Sequence, residues 1–166
     1  MRRVQKGDVI SLYLKTRILF KMMKIQRDGI SCGPVALINA YYYKHGTYPK
    51  MTTRTLMRKC STDDKVGTHR WNMMDCEIVR LGKPTYNLNK IKGFDACILL
   101  YSFGKKYAHY VFVVRKCGGY KIYNYCDEDS DDYEHVTMTE EEYSDMLRAN
   151  PRVEGLDYPL AWCIAS

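Results

Sequence analysis

The sequence has few of the residues that build a metal centre or a membrane span. Its four histidines are scattered, and none of its seven cysteines lies in a CxxC pair, which argues against a zinc site. No stretch approaches the ~18 uninterrupted apolar residues of a membrane-spanning helix. Lys15 and Arg17 interrupt the only segment that resembles the apolar core of a signal peptide. The sequence therefore predicts no metal, no organic cofactor and no association with a membrane.

The cysteines are odd in number and widely spaced, unlike the dense, even-numbered cysteines of small secreted domains. This pattern predicts reduced thiols and a cytoplasmic location. The 166 residues contain no internal repeat and no long linker, which indicates a single domain with a substantial core. Residues 1–22, which are basic, are interpreted as an extension that precedes a domain spanning residues 23–166.

Charge is divided unevenly along the chain. Residues 1–126 contain 24 Lys and Arg against 7 Asp and Glu, whereas residues 127–166 contain 2 against 12. The basic residues are dispersed in runs no longer than two, which is typical of a solvated surface. Nucleic acid stays open as a partner, although a charge balance alone carries little specificity. The sequence does not determine the oligomeric state.

An α+β fold is predicted, with helices before an antiparallel sheet. Three segments have helix patterns with suitable caps: 33–44, 53–60 and 69–82. Three segments rich in β-branched and aromatic residues follow: 96–103, 109–116 and 120–126. The "CGG" at 117–119 predicts a hairpin turn between the last two. Thr139 and Glu142 have the spacing of a capping box for another helix, and "AWCI" at 161–164 predicts a last strand.

One cysteine is placed to act as a nucleophile. Cys32 precedes "GPVAL" at the predicted start of the first helix, where the positive end of the helix dipole favours a thiolate. A thiol nucleophile needs a base, and His109 begins a predicted strand after a polar turn. We expect a Cys32 pKa below the ~8.5 of a free thiol, and faster alkylation of Cys32 than of the other cysteines.

Further groups complete the predicted site. Gln26 lies six residues before Cys32, so its amide and the Cys32 N–H are expected to stabilise the oxyanion of a tetrahedral intermediate. Across the hairpin from His109, both Asn124 and Asp127 are within reach of the imidazole. Strand alternation puts Asn124 on the buried face, which favours its side chain as the group that orients His109. Asp127 is the alternative.

Together these elements resemble the papain-like cysteine peptidases, and most closely the branch that cleaves leader peptides from bacteriocins. The likeness rests on Gln26, "CGPVAL" at 32–37, "GT" at 67–68 and "HYVFVV" at 109–114, and it spans residues 23–127. It implies a papain-like fold, with a helical layer carrying the cysteine packed on a sheet carrying the histidine. It also implies a thiol protease that cleaves a peptide or isopeptide bond through a thioester, with a protein or peptide as its substrate.

Two other functions would use the same residues or the same fold. An acyltransferase or transglutaminase-type enzyme would form the same thioester and resolve it with an amine. A non-catalytic papain-like module would use its cleft to bind a peptide or nucleic acid without turnover. Reactivity of Cys32 separates the binding module from the two enzymes, because only the enzymes require a reactive thiol.

The remaining histidines and the tryptophans are given structural roles. His45, His69 and His135 are expected at the surface, and Trp71 and Trp162 in the core. The six other cysteines are expected to be small buried hydrophobes or exposed bystanders.

Overall fold

The fold is α+β, as the sequence predicts, with helices around one antiparallel sheet. The computed structural model describes residues 23–74, 76, 78–103, 107–130, 132–150 and 158–165. The predicted extension, residues 1–22, lies outside the described residues. None of the helices described is long and apolar enough to cross a bilayer.

The sheet has five strands in the order β4-β3-β2-β1-β5, and every neighbouring pair is antiparallel. The helices are α1 (Cys32–His45), α2 (Thr53–Lys59), α3 (Leu88–Gly93) and α4 (Glu140–Arg148). The strands are β1 (Ala96–Phe103), β2 (Tyr107–Lys116), β3 (Gly119–Tyr125), β4 (Glu134–Thr139) and β5 (Leu160–Cys163).

Helix α1 is buried along most of its length because it is apolar on nearly every side. Pro34 lies in its first turn, where backbone N–H groups have no intrahelical acceptor. Gly46 ends the helix in the left-handed conformation, with φ of 69°. The helix packs on β1 and β2. This packing holds Cys32, the first residue of α1, against the sheet.

The sheet separates two apolar clusters. Alternation along β1 and β2 puts Leu100 and Tyr110 on the face that α1 covers, in the same cluster as Cys32. Tyr101 and Val111 lie on the opposite face, which α4 covers. Each side chain of these two strands therefore lies on one face of the sheet or the other, and it contacts only the site residues on its own face.

The local turn and capping predictions are confirmed. Of Thr52 and Thr53, the two candidate caps of the second predicted helix, Thr52 caps α2 by accepting from the N–H of Thr55. Thr139 and Glu142 form the predicted capping box at the start of α4. The hairpin joins β2 to β3 at 117–118, and the last strand forms as β5.

The third predicted helix, 69–82, is wrong. Only a short 3₁₀ turn, Arg70–Asn72, forms in this segment. Cys76 is joined by a disulfide to Cys60 at the end of α2, with Cα atoms 5.8 Å apart. The expectation that every cysteine is reduced is therefore also wrong at this pair. No sequence pattern predicts a contact between two cysteines 16 residues apart, because only the packing of α2 brings them together.

Candidate active site

Cys32 lies at the start of α1 with its thiol buried against the sheet. The residue is 8% exposed. Burial raises the pKa of the thiol, while hydrogen bonds from the backbone N–H groups of Tyr110 and Gly33 act in the opposite direction. The prediction of a lowered pKa is therefore wrong, because the cost of desolvating a thiolate exceeds the stabilisation that the helix terminus and these N–H groups provide.

His109 lies on β2 and is buried among aromatic rings. It pairs with Tyr101 across the β1–β2 ladder, and Tyr133 stacks on its imidazole with ring centroids 5.2 Å apart. Burial lowers the pKa of His109 to about 4, although a hydrogen bond to Asn124 acts in the opposite direction. The imidazole is therefore uncharged near neutral pH, in the form that can accept a proton.

The main-chain carbonyl of Asn124 orients this imidazole. His109 Nε2 lies 2.6 Å from the Asn124 oxygen. Because a carbonyl oxygen can only accept, Nε2 carries the proton and Nδ1 is the basic nitrogen of the neutral ring. The sequence pointed to the side-chain amide of Asn124 for this role, and the structure assigns the contact to the backbone instead.

The Asn124 side chain ties the segment before α1 to the sheet. Its Oδ1 accepts from the N–H of Gln26 and its Nδ2 donates to the carbonyl of Lys24, both at 2.9 Å. The residue has φ of 64°, at an irregularity in the β3–β4 register that strand alternation does not anticipate. Its N–H donates to His135 Nδ1 at 3.2 Å, so His135 is half-buried rather than at the surface.

Two substitutions at this position should separate its backbone from its side chain. Asn124→Gly accepts the positive φ and keeps the carbonyl on His109, but it loses two hydrogen bonds. We expect the free energy of unfolding to fall by roughly 1–3 kcal/mol, with Cys32-dependent activity retained. Asn124→Ala should cost about 1–2 kcal/mol more, because its backbone is strained in the left-handed region. Urea unfolding and ester hydrolysis measure both effects. A stable but inactive Asn124→Gly would assign the orienting role to the amide.

The other predicted site residues make local contacts. Asp127 accepts from the Ser130 hydroxyl in the turn after β3, at 2.7 Å, so its carboxylate is engaged there. Gln26 is buried, and its Nε2 donates to the carbonyl of Asp28. Its Oε1 has no hydrogen-bond partner among the described residues. The oxyanion role of Gln26 stays a prediction, because the donor it would use toward Cys32 is turned to Asp28.

Cys32 and His109 approach the same strand from opposite sides. Cys32 lies on the α1 face, in the same apolar cluster as Tyr110. His109 projects to the face of its partner Tyr101, since residues directly opposite in an antiparallel pair share a face. Among the described residues, His109 hydrogen-bonds to Asn124 and not to Cys32. The thiol and the imidazole therefore lie near consecutive residues of β2, with no hydrogen bond between them in the described part of the chain.

A cavity of about 140 Å³ opens beside Cys32. Its walls include Thr68, His69 and Arg70, which follow α2, Tyr110 on β2, and Tyr158, which precedes β5. Sequence reasoning missed His69 and Arg70 as site residues, and the one signal for them was the "GT" at 67–68 within the family resemblance. Within the described ranges, no group of three His, Cys, Asp or Glu side chains could hold a metal ion.

The segment that forms this wall also exposes a tryptophan. Trp71 is 65% exposed, so the expectation of a core position is wrong, whereas Trp162 is 1% exposed and is confirmed in the core. The Arg70 guanidinium lies over the Trp71 ring, 4.9 Å from its centroid. The 3₁₀ turn that replaces the predicted helix turns Trp71 outward and Arg70 toward the cavity.

The buried thiol predicts slow alkylation of Cys32, contrary to the expectation from its helix position. Cys117 is exposed, Cys32 is buried with a raised pKa, and burial raises the pKa of Cys97 to about 12. Iodoacetamide should therefore modify Cys117 first, Cys32 later and Cys97 last, because only the thiolate reacts. A labelling time course with peptide mapping measures this order. Modification of Cys32 before Cys117 would mean that the helix terminus outweighs burial.

Compared with models of known protein families and with curated proteins, the sequence matches none. The likeness to papain-like peptidases therefore rests on the residues that carry it. The structure adds an α+β fold in which a buried helix begins at Cys32 and packs on an antiparallel sheet that contains His109.

Proposed function

We propose that the protein is a papain-like cysteine peptidase or related thiol hydrolase, with Cys32 as the nucleophile and His109 as the general base. One observation carries the proposal. Cys32 and Tyr110 share one apolar cluster and line one cavity, and the residue before Tyr110 is a histidine oriented by a main-chain carbonyl. A thiol at a helix start and an oriented imidazole on the strand beneath it are the parts of an acyl-transfer site.

The proposed reaction begins from two uncharged groups. His109 Nδ1 takes the thiol proton as the Cys32 sulfur attacks the carbonyl carbon of the substrate. Backbone N–H groups at the start of α1 stabilise the oxyanion, and the Gln26 amide would join them by leaving the Asp28 carbonyl. The amine departs with the proton from the imidazolium, leaving a thioester. Water, deprotonated by His109, then hydrolyses the thioester and restores the thiol.

The imidazole has to reach the thiol for this reaction. Catalytic hydrogen bonds are often long or misaligned before substrate binds. The β2–β3 ladder ends at the pair of Phe112 and Tyr123, so β2 is not paired with β3 beside His109. We infer that the His109 ring turns toward α1 through this gap, where no strand–strand hydrogen bond has to break.

The buried thiol favours a second candidate function, the non-catalytic binding module. A raised pKa and the absence of a Cys32–His109 hydrogen bond among the described residues are typical of a structural cysteine. The two candidates differ in turnover, because a binding module has no means to resolve a thioester.

Hydrolysis of an activated ester, p-nitrophenyl acetate, tests the proposal. We expect wild type to hydrolyse it over many turnovers and Cys32→Ala to lose nearly all of that activity. Cys117→Ala is the matched control, since it removes an exposed thiol outside the site. Equal rates for wild type and Cys32→Ala would reject the nucleophile. If the wild type released one equivalent of product and then stopped, the binding module would be favoured.

A further inference from the structure

The cavity beside Cys32 is lined by two residues whose buried polar atoms have no hydrogen-bond partner in the described part of the chain. The Tyr110 hydroxyl and Arg70 Nε are both buried, and neither has a hydrogen-bond partner among the described residues. Both residues line the cavity together with Cys32. Native proteins rarely leave a buried polar atom unpaired, so two such atoms on residues that line one cavity point to an acceptor that binds there.

The cavity also carries the positive charge of Arg70, and the described part of its wall contains no anion. Arg70 is held by uncharged partners: its Nη1 donates to the Tyr86 hydroxyl at 3.3 Å, and its guanidinium lies over the Trp71 ring. No Asp or Glu is among the described residues that line the cavity. The guanidinium is therefore fixed in place with its charge available to a ligand.

We propose that this cavity binds a carboxylate of the substrate, next to the bond that Cys32 attacks. The proposal rests on the function proposed above for Cys32. A carboxylate accepts hydrogen bonds from both Arg70 and Tyr110, and a guanidinium matches its two oxygens. At about 140 Å³ the cavity takes one side chain or a chain end rather than a longer segment. The substrate class is therefore an acidic peptide, with the carboxylate on an Asp or Glu side chain or at a free C-terminus.

Three ligands of nearly equal size distinguish these sources. N-acetyl-glutamate amide has a side-chain carboxylate, N-acetyl-glutamine has a terminal carboxylate, and N-acetyl-glutamine amide has neither. Each is titrated against the rate at which iodoacetamide modifies Cys32, with Cys117 as the internal control for reagent activity. We expect at least one carboxylate ligand to slow the modification of Cys32, and the neutral amide to leave it unchanged. The more protective carboxylate identifies the source.

Substitutions connect the protection to the two donors. Arg70→Gln and Tyr110→Phe should each weaken it about tenfold, the effect of losing a hydrogen bond to a charged group. Tyr110→Phe removes an unpaired hydroxyl, so the fold should keep its stability. Arg58→Gln, which replaces an exposed arginine on α2, is the matched control. In this variant the carboxylate ligand should slow the modification of Cys32 as much as in wild type.

The outcomes separate this inference from the proposed function. Equal protection by all three ligands, or no protection by either carboxylate, would overturn the carboxylate site. Protection that Arg70→Gln leaves intact would overturn the assignment to Arg70. Since protection needs no turnover, carboxylate protection in a protein that fails to hydrolyse p-nitrophenyl acetate would support the site and reject the catalytic role of Cys32.

Discussion

His109→Ala is expected to lower Cys32-dependent ester hydrolysis by about 10²–10⁴-fold, the usual contribution of a general base. His45→Ala, which replaces an exposed histidine at the end of α1, is the matched control and should leave it close to wild type. His69→Ala tests the histidine in the wall of the cavity beside Cys32. The difference arises because the Asn124 carbonyl fixes the His109 tautomer with Nδ1 as the basic nitrogen. Rates are measured after subtracting the Cys32→Ala background, with circular dichroism to confirm folding.

The opposite pattern would reassign the base. If His69→Ala removed the activity and His109→Ala kept it, the proton acceptor would come from the cavity side of Cys32. His109 would then be a buried structural residue that, through the Asn124 carbonyl, supports the irregularity in the β3–β4 register. Loss in both variants would require the two histidines to act in one proton path.

Acidification from about pH 6.5 to about pH 4 should lower the free energy of unfolding by about 3 kcal/mol through His109 alone. Burial lowers the pKa of His109 from 6.5 to about 4 in the folded protein. The unfolded chain therefore binds the proton first as the pH falls. The stability that this difference provides is fully present above the unfolded pKa and is lost on approaching the folded pKa. His135, whose pKa is also lowered by burial, adds to the loss in the same direction.

Urea unfolding of wild type and His109→Gln across this pH window measures the effect. Glutamine can still donate a hydrogen bond to the Asn124 carbonyl but does not titrate. The free energy of unfolding of the variant should fall less steeply with decreasing pH, because unfolding no longer includes the uptake of up to one proton by His109. Parallel curves for the two proteins would show that His109 is not held uncharged by the fold. His135→Gln, measured beside them, accounts for the second histidine.

Local features of the fold were predictable because few neighbours decide them. The Thr52 cap, the capping box of Thr139 and Glu142 and the hairpin at 117–118 each depend on residues within a few positions. The helix expected over 69–82 failed for the opposite reason. A disulfide to a residue 16 positions away, together with the sheet edge, sets the path of that segment.

The site was predictable in its residues more than in its electrostatics. "CGP" placed Cys32 at a helix start, and the strand pattern put His109 on β2. The pKa of the thiol was predicted in the wrong direction, because the sequence does not reveal how deeply β2 buries it. Asn124 was expected to use its amide, but a positive φ and a register shift turn the amide toward residues 24–26. Arg70 had no motif of its own.

Formation and decay of an acyl-enzyme on Cys32 is the most direct test of its role as nucleophile. Wild type is mixed with p-nitrophenyl acetate, quenched in acid at intervals, digested and mapped by mass spectrometry. We expect an acetyl group on the Cys32 peptide that forms and disappears as ester is consumed, is removed by hydroxylamine as a thioester, and is absent in Cys32→Ala. Acetylation confined to Cys117, or an acetyl group on Cys32 that never decays, would contradict it.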